Sequence, residues 1–322
     1  MCKSILWFLF FSALLHIEGA FAKSDLDTIA TTDFQPRKTL RWLDPKAIPD
    51  ANRTKVLVGG LSGLYAGSMT WLYTQWYSDY SLGSFRTFND GGEWEGMDKY
   101  AHAWDAYSIS KPVFHLFRWA GYDNDRSAWY GAGISTLFQT TVEVFDGFSP
   151  GWGFSFYDIA ANTGGTALFL SQQLGWKEQR IVLKYSFHTT QYASLRPDVL
   201  GSNLPERILK DYNGLTYWVS VNPSSFLRNG SSFPSWISLA IGFGAEGMTG
   251  GDDNPTEVDG RAIPAFDRYR QYYLGIDFDL ARIKTRHRLL QDLFKVINII
   301  RLPAPAIEFA HGRKTKWHPL YF

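Results

Sequence analysis

The stretch from DKYAH (98–102) through TTVEVFDGF (140–148) to SFYDIAANTGG (155–165) repeats one pattern, in which polar side chains recur at helical spacing among apolar residues. The recurring residues are Asp98 with His102, Glu143 with Asp146, and Asp158 with Asn162, followed one turn later by Gly165. Residues three or four positions apart lie on the same face of a helix. The stretch therefore predicts three helices whose polar faces meet in one buried cluster.

The helices that carry this pattern are predicted from caps, breakers and apolar periodicity. Four are expected, at about residues 55–77, 96–119, 127–145 and 156–174. Pro112 predicts a break or kink in the second helix. Asn124 or Asp125 is the expected cap of the third helix, and Ser155 that of the fourth. Together the four helices predict a bundle with a polar centre.

The first of these helices permits two interpretations. Its glycines recur at the spacing that lets two helices approach closely, at Gly59, Gly60, Gly63 and Gly67. This pattern favours a buried helix of the bundle. The segment is also nearly long enough to cross a bilayer, so a membrane span is the alternative.

From about residue 180 the period of the apolar residues changes from 3.6 to 2, which indicates strands. Four segments alternate clearly, around residues 183–187, 215–221, 237–243 and 272–280, and two more are expected at 307–310 and 315–322. The segment 286–300 has the pattern of an amphipathic helix. It is expected either to dock on the sheet or to lie on an anionic membrane surface.

These patterns predict an α+β fold, with a four-helix bundle followed by an antiparallel sheet region and one amphipathic helix. The predicted divisions are a signal peptide at 1–22, an extended lead-in at 23–54, a helical domain at 55–175 and a β-rich domain at 180–322. The aromatic face of the sheet is a candidate for contact with a membrane.

The N-terminus indicates export. Lys3 precedes the apolar run 5–15, and the small residues Ala20 and Ala22 mark a cleavage site. An uncleaved anchor is the alternative. The single cysteine, Cys2, lies in the segment expected to be removed, so the mature chain has no thiolate nucleophile and no disulfide. A secreted eukaryotic domain usually has disulfides, which favours a bacterial envelope.

The composition limits the partners. The net charge is +1, and charges of both signs are scattered, which is against nucleic-acid binding. Aromatic residues make up 17% of the chain, which fits either an aromatic core or contact with a membrane interface. An envelope membrane surface is the expected partner.

The predicted cluster suits three roles. One imidazole and several oxygen atoms, from His102, Glu143, Asp146, Asp158 and Asn162, could hold a divalent metal ion such as Mg, Mn, Fe or Zn. Alternatively, Asp98 or Asp158 could orient His102 as a general base, which makes His102, Glu143 and Asp158 the candidate catalytic residues. The third role is structural, because a buried network of these groups can lock helices together.

The motifs DK-x-x-H (with Asp98, Lys99 and His102), E-x-x-D and D-x-x-A-N-x-x-G resemble the YfiM-like predicted periplasmic lipoproteins, and more distantly the VanZ-like membrane proteins. The resemblance covers roughly residues 55–175, and the strand-rich half resembles longer versions in Bacteroidetes-type envelopes. It implies a place in the bacterial envelope and no established reaction. The signal peptide has no lipobox cysteine, so a lipid anchor is not expected here.

Three functions follow as hypotheses, the third being a transporter-like membrane protein that uses residues 55–77 as a span. The leading one is a cell-envelope protein without an assigned reaction, in the periplasm or attached peripherally to the outer membrane. The alternative is a metal-dependent hydrolase that acts on an envelope lipid or phosphate.

Overall fold

The computed structural model describes residues 45–74, 82–227, 232–286 and 288–322. The predicted signal peptide and residues 23–44 of the predicted lead-in lie outside them. Within these residues the fold is α+β, as predicted, with long helices in the first half and an antiparallel sheet in the second.

Four long helices come first in the chain. They are α1 (Ala51–Leu72), α2 (Met97–Ala120), α3 (Asn124–Gly147) and α4 (Phe156–Gly175). Helix α2 continues through Pro112, so the proline does not end it. The side chains of Asp123 and Ser155 accept backbone N–H groups at the starts of α3 and α4. The cap of α4 was predicted correctly, whereas that of α3 lies one residue earlier than the two candidates.

Helix α1 corrects two expectations. It begins at Ala51, inside the segment predicted as an extended lead-in, because Asp50 caps it by accepting the N–H groups of Asn52 and Arg53, each at 3.0 Å. The predicted packing role of its glycines is wrong within the part of the chain that the structure describes, where a Cβ atom added at Gly59, Gly60, Gly63 or Gly67 would meet no atom within 4 Å. The helix packs instead through residues such as Leu57, Met69 and Leu72.

The second half forms one six-stranded antiparallel sheet in the order β1-β2-β3-β6-β7-β8. Its strands are β1 (Ile181–Phe187), β2 (Leu215–Val221), β3 (Ile237–Glu246), β6 (Tyr269–Phe278), β7 (Ala304–Ala310) and β8 (Lys316–Tyr321). The short strands β4 (Glu257–Val258) and β5 (Arg261–Ala262) form a separate hairpin. Short helices α5 (Tyr192–Leu195), α6 (Pro197–Leu200) and α7 (Leu204–Lys210) join β1 to β2, and α8 (Arg288–Ile297) precedes β7.

The helices and the first strands share an apolar core. Trp104 of α2 packs edge-on against Tyr185 of β1 with 4.7 Å between ring centroids, and it also contacts Tyr217 of β2. Helix α8 leaves Leu290 and Leu293 exposed. Among the described residues, we find no helix that combines the length and apolar character needed to cross a membrane.

The two faces of the sheet differ sharply in polarity. The face turned inward carries mixed aromatic and polar side chains, including Lys184, Ser186, Thr216, Ser220, Gln271, Asp277 and Glu308, all of them buried. Tyr321 of β8 and Thr216 of β2 lie with their hydroxyl oxygens 3.0 Å apart. In a flat sheet, strands four positions apart would be about 19 Å from each other. The sheet therefore curls around its polar face.

Candidate functional site

A left-handed turn leads into the candidate site at the start of α2. Trp94 and Glu95 have φ values of 51° and 56°, a region that non-glycine residues rarely occupy. The carboxylate of Glu95 is held by Arg268 at 3.1 Å and by Arg270 at 3.4 Å. Backbone strain of this kind persists only where its surroundings fix it, and it often marks functional sites.

His102 lies at the centre of the site, between carboxylates. Its Nδ1 is 3.2 Å from Oδ1 of Asn162, which also accepts a hydrogen bond from Nε2 of Gln139 at 3.1 Å. Its Nε2 is 3.7 Å from Oδ2 of Asp98 and 3.6 Å from Oδ2 of Asp158. Both distances to Nε2 exceed the range of a hydrogen bond. Nε2 therefore points into the space between two carboxylates without bonding to either.

Glu143 is the most deeply buried acid of the site, with 1% of its surface exposed. In the part of the chain that the structure describes, neither of its carboxylate oxygens has a hydrogen-bond partner. Its Oε1 lies 3.8 Å from Nδ1 of His102. A buried carboxylate without hydrogen bonds is costly, so this group requires a nearby positive charge or a proton.

Lys99 joins three acids on the other side of the site. Its ammonium group is 2.7 Å from Asp90 and 3.0 Å from Asp98, and it also donates to Asp158. The hydroxyl of Ser155, the cap of α4, accepts the N–H of Asp158 at 3.1 Å and donates to Asp90 at 2.5 Å. These contacts tie the start of α4 to the start of α2 and to the loop before it.

The carboxylates shift the titration of His102 and of one another. Burial alone would lower the pKa of His102, but Asp158, Asp98 and Glu143 outweigh it and raise that pKa to about 9. Burial, together with Asp98 and Glu143, raises the pKa of Asp158 to about 7, against the opposing effect of His102. Asp158 therefore exchanges between its charged and neutral forms near neutral pH.

Asp98 and Lys99 remain ionised. Burial would raise the pKa of Asp98, but His102, Lys99 and a hydrogen bond from Tyr212 hold it well below its usual value. Burial would lower the pKa of Lys99, but Asp98 and Asp158 raise it. Asp98 and Lys99 therefore form a permanently charged pair beside Asp158, whose charge changes near pH 7.

The site opens into a cleft of about 150 Å³. Five acids line the cleft, namely Asp90, Glu93, Asp98, Asp146 and Asp158, together with His102, Arg86, Tyr212 and the aromatic residues Phe88, Trp94 and Trp152. Burial and the neighbouring acids Asp252, Asp98 and Asp90 raise the pKa of Glu93. The cleft is therefore suited to cationic rather than anionic ligands.

Most of the predicted site residues lie together. Asp98, Lys99, His102, Glu143, Asp158 and Asn162 contact one another, and Asp146 lines the adjoining cleft. Gly165 has a packing role instead. A Cβ atom there would lie 2.0 Å from the carbonyl oxygen of Ala103, so only glycine lets α4 approach α2 this closely.

Three residues of the site were missed by the sequence interpretation. Asp90 lies in the loop before α2, and Tyr212 comes from the segment between α7 and β2, so no helical spacing connects either to the cluster. Gln139, by contrast, lies one turn before Glu143 on α3, at the same spacing that identified the others. It could have been found.

The arrangement also limits which atoms could hold a metal ion. Ligand atoms of Asp98, His102 and Asp158 all lie within 4.8 Å of one another. Two ligands that each bond an ion at about 2.1 Å cannot be more than about 4.2 Å apart. The separations of 3.6 Å and 3.7 Å from Nε2 of His102 meet that limit, whereas the third pair, Asp98 with Asp158, is within 4.8 Å.

Comparison with known families locates a similarity in the helical half. Residues 87–172 match the model of a family described as "Predicted periplasmic lipoprotein (DUF2279)". This match confirms, for that segment, the family resemblance predicted from the motifs. The segment includes α2, α3, most of α4 and the helical residues of the cluster, but not Tyr212 or the sheet. Searches of curated proteins and of solved structures find no significant match to the chain.

Proposed function

We propose that this protein is a cell-envelope protein that binds a divalent metal ion through His102, Asp98 and Asp158 at the base of the acidic cleft. The observation that carries the proposal is an excess of buried negative charge. Among the described residues, four carboxylates (Asp90, Asp98, Glu143 and Asp158) surround two cationic side chains, Lys99 and His102. Uncompensated buried charge is strongly unfavourable, and a bound dication would offset it.

The hydrogen bonds around His102 favour metal ligation by Nε2. Because Oδ1 of Asn162 accepts a hydrogen bond from Gln139, it presents a lone pair to Nδ1 of His102. Nδ1 therefore carries the proton in the neutral ring, which leaves a lone pair on Nε2, the atom between Asp98 and Asp158. Metal-binding histidines are usually oriented in this way by an acceptor on the other ring nitrogen.

The ligand types favour certain ions. One imidazole with two carboxylates suits Zn²⁺, Mn²⁺ or Fe²⁺, whereas Mg²⁺ and Ca²⁺ prefer oxygen ligands alone. Glu143 lies behind the ring and would balance the charge of the ion without ligating it.

A metal-dependent hydrolase is the second candidate. The three proposed ligands all line the solvent-open cleft, so an ion there would have coordination positions free for water and substrate. Such an ion lowers the pKa of bound water and polarises a substrate oxygen. The acidic lining of the cleft disfavours a free anionic phosphate as that substrate.

Metal binding is tested by equilibrium dialysis of chelator-treated protein against Zn²⁺ and Mn²⁺, followed by elemental analysis. We expect about one ion per chain in the wild type and a loss of binding in His102→Ala and Asp158→Asn. The control is His115→Ala, which removes a histidine from the same helix outside the cluster and is expected to bind as the wild type does.

Two results would contradict the proposal. One is wild-type protein that binds neither ion, with His102→Ala only lowering the melting temperature, as a purely structural network predicts. The other is equal binding by His102→Ala and the wild type, with circular dichroism showing that both are folded.

A further inference from the structure

The outward face of strands β3 and β6 carries a band of exposed aliphatic side chains. Leu239, Ile241, Leu274 and Ile276 are each between 40% and 54% exposed. The strand pairing places Leu239 opposite Ile276 and Ile241 opposite Leu274. The row that contains Ile241 and Leu274 continues on the neighbouring strands through Ile307 to Trp317, which is 63% exposed.

Aromatic side chains border this aliphatic band at both ends. On one side, the register aligns Phe243, Tyr272 and Phe309 in a row across three strands. On the other side, Trp236 packs on Phe278 with ring centroids 5.9 Å apart. The borders are about six residues apart along β3, or roughly 20 Å. Aromatic residues of this kind favour the boundary between hydrocarbon and water.

The inward face of the same strands is the polar one. It buries the ion pair of Lys184 with Asp277 at 2.8 Å, and Glu308 with its partner His318 at 2.7 Å. A sheet in water normally turns its apolar face to the core and its polar face outward. At β3, β6 and β7 this sheet does the reverse, which is favourable where an apolar medium covers the outer face. At β1 and β2 the same face packs against α2, and Tyr100 of α2 stacks on Phe243 with ring centroids 4.8 Å apart.

A basic turn lies next to the aromatic row. The turn between β7 and β8, residues 311–315, follows the row that contains Phe309 and reads HGRKT. Arg313 and Lys314 are exposed there, and the turn has no acidic residue to neutralise them. Their positive charge complements the phosphate groups of lipids, which lie at the level that interfacial aromatic residues occupy.

We infer that the outer face of β3, β6, β7 and β8 binds a phospholipid bilayer, with Leu239, Ile241, Leu274 and Ile276 in contact with hydrocarbon and the turn 311–315 at the headgroups. Nothing in this inference depends on the metal site. It gives the protein a defined membrane-facing side and leaves the acidic cleft as a separate surface.

An environment-sensitive fluorophore on single cysteines tests the inference. The natural Cys2 is first replaced (Cys2→Ser), and Ile241→Cys or Leu137→Cys is then labelled in the full chain. Leu137 is the matched control, an exposed aliphatic residue on α3. With vesicles of phosphatidylethanolamine and phosphatidylglycerol, we expect a blue shift and a several-fold rise in emission at position 241 and no change at position 137.

A second variant pair tests the apolar contact without a label. Ile241→Glu with Leu274→Glu is expected to weaken binding to vesicles by more than about tenfold, whereas Leu137→Glu leaves it unchanged. The substituted side chains are exposed, and circular dichroism verifies the fold.

The inference is overturned by emission at position 241 that stays water-like with vesicles. It is also overturned if that emission is already shifted without vesicles and follows protein concentration, because a second copy of the chain would then cover the face.

Discussion

The polar cluster of the helices and the polar face of the sheet both bury ionised groups, but they balance them differently. On the sheet, Lys184 lies 2.8 Å from Asp277, which also accepts a hydrogen bond from Ser220 at 2.6 Å. In the helices, Glu143 is equally buried and has no hydrogen bond among the described residues. A buried charge with a partner is already compensated, whereas an unbalanced set of buried carboxylates favours the binding of a cation.

The largest loss of stability is expected when the buried ion pair of the sheet, Lys184 with Asp277, is broken. Lys184→Met leaves Asp277 buried without its cation, so we expect a loss of about 3–5 kcal/mol in the free energy of unfolding. The double variant with Asp277→Leu should recover much of that loss. Urea denaturation of the two variants measures both effects.

A surface pair provides the control for this prediction. Lys177 contacts Asp125 with both side chains more than half exposed, so Lys177→Met should cost less than about 1 kcal/mol. Similar losses for Lys184→Met and Lys177→Met would show that Asp277 does not depend on Lys184 for compensation of its charge.

A smaller effect of opposite sign is expected in the helical cluster. In metal-free protein, Glu143→Gln removes part of the excess negative charge, so we expect the free energy of unfolding to rise by about 1 kcal/mol. Denaturation in the presence of a chelator measures this change. Glu178→Gln, on the surface beside Arg180, is the control and should lower stability slightly or not at all.

A clear destabilisation by Glu143→Gln would mean that the carboxylate is already compensated in the metal-free protein. The buried charges of the helices would then be balanced in the same way as those of the sheet.

A pH-dependent effect concerns a second histidine on α2. Burial, with Lys111, Lys295 and Arg118 nearby, lowers the pKa of His115 to about 3, whereas carboxylates raise that of His102 to about 9. Because the unfolded chain takes up this proton near pH 6.5 and the folded protein only near pH 3, stability from His115 is complete above pH 6.5 and is lost as the pH falls.

The wild type should therefore lose stability relative to His115→Gln between pH 6.5 and 4, by at most about 1.4 kcal/mol per pH unit. Urea midpoints across this range measure the difference. His311→Gln, at an exposed position in the turn before β8, serves as control. Parallel pH profiles for the wild type and His115→Gln would contradict the prediction.

Much of the cluster could be predicted because helical periodicity is a local signal. The spacing of Asp98 with His102, and of Asp158 with Asn162, is enough to place each pair on one helix face. Asp90 and Tyr212 could not be found in this way. They reach the cluster through a loop and through a contact that spans 114 residues, which only the tertiary fold determines.

The packing of faces was the harder part to predict. The glycines of α1 have the spacing of a helix contact, but the pattern does not say whether another helix lies against that face. Alternation in β3 and β6 likewise showed which residues share a face, as with Ile241 and Leu274. It did not show that the apolar face turns outward, because alternation has the same period on either side of a sheet.

The position of a bound ion decides whether His102, Asp98 and Asp158 form a metal site. Crystals of the wild type soaked in MnCl₂ can be measured at a wavelength where manganese scatters anomalously. We expect an anomalous peak about 2.0–2.3 Å from Nε2 of His102 and within bonding distance of carboxylate oxygens of Asp98 and Asp158. A cluster without such a peak, or manganese found only on the protein surface, would contradict it.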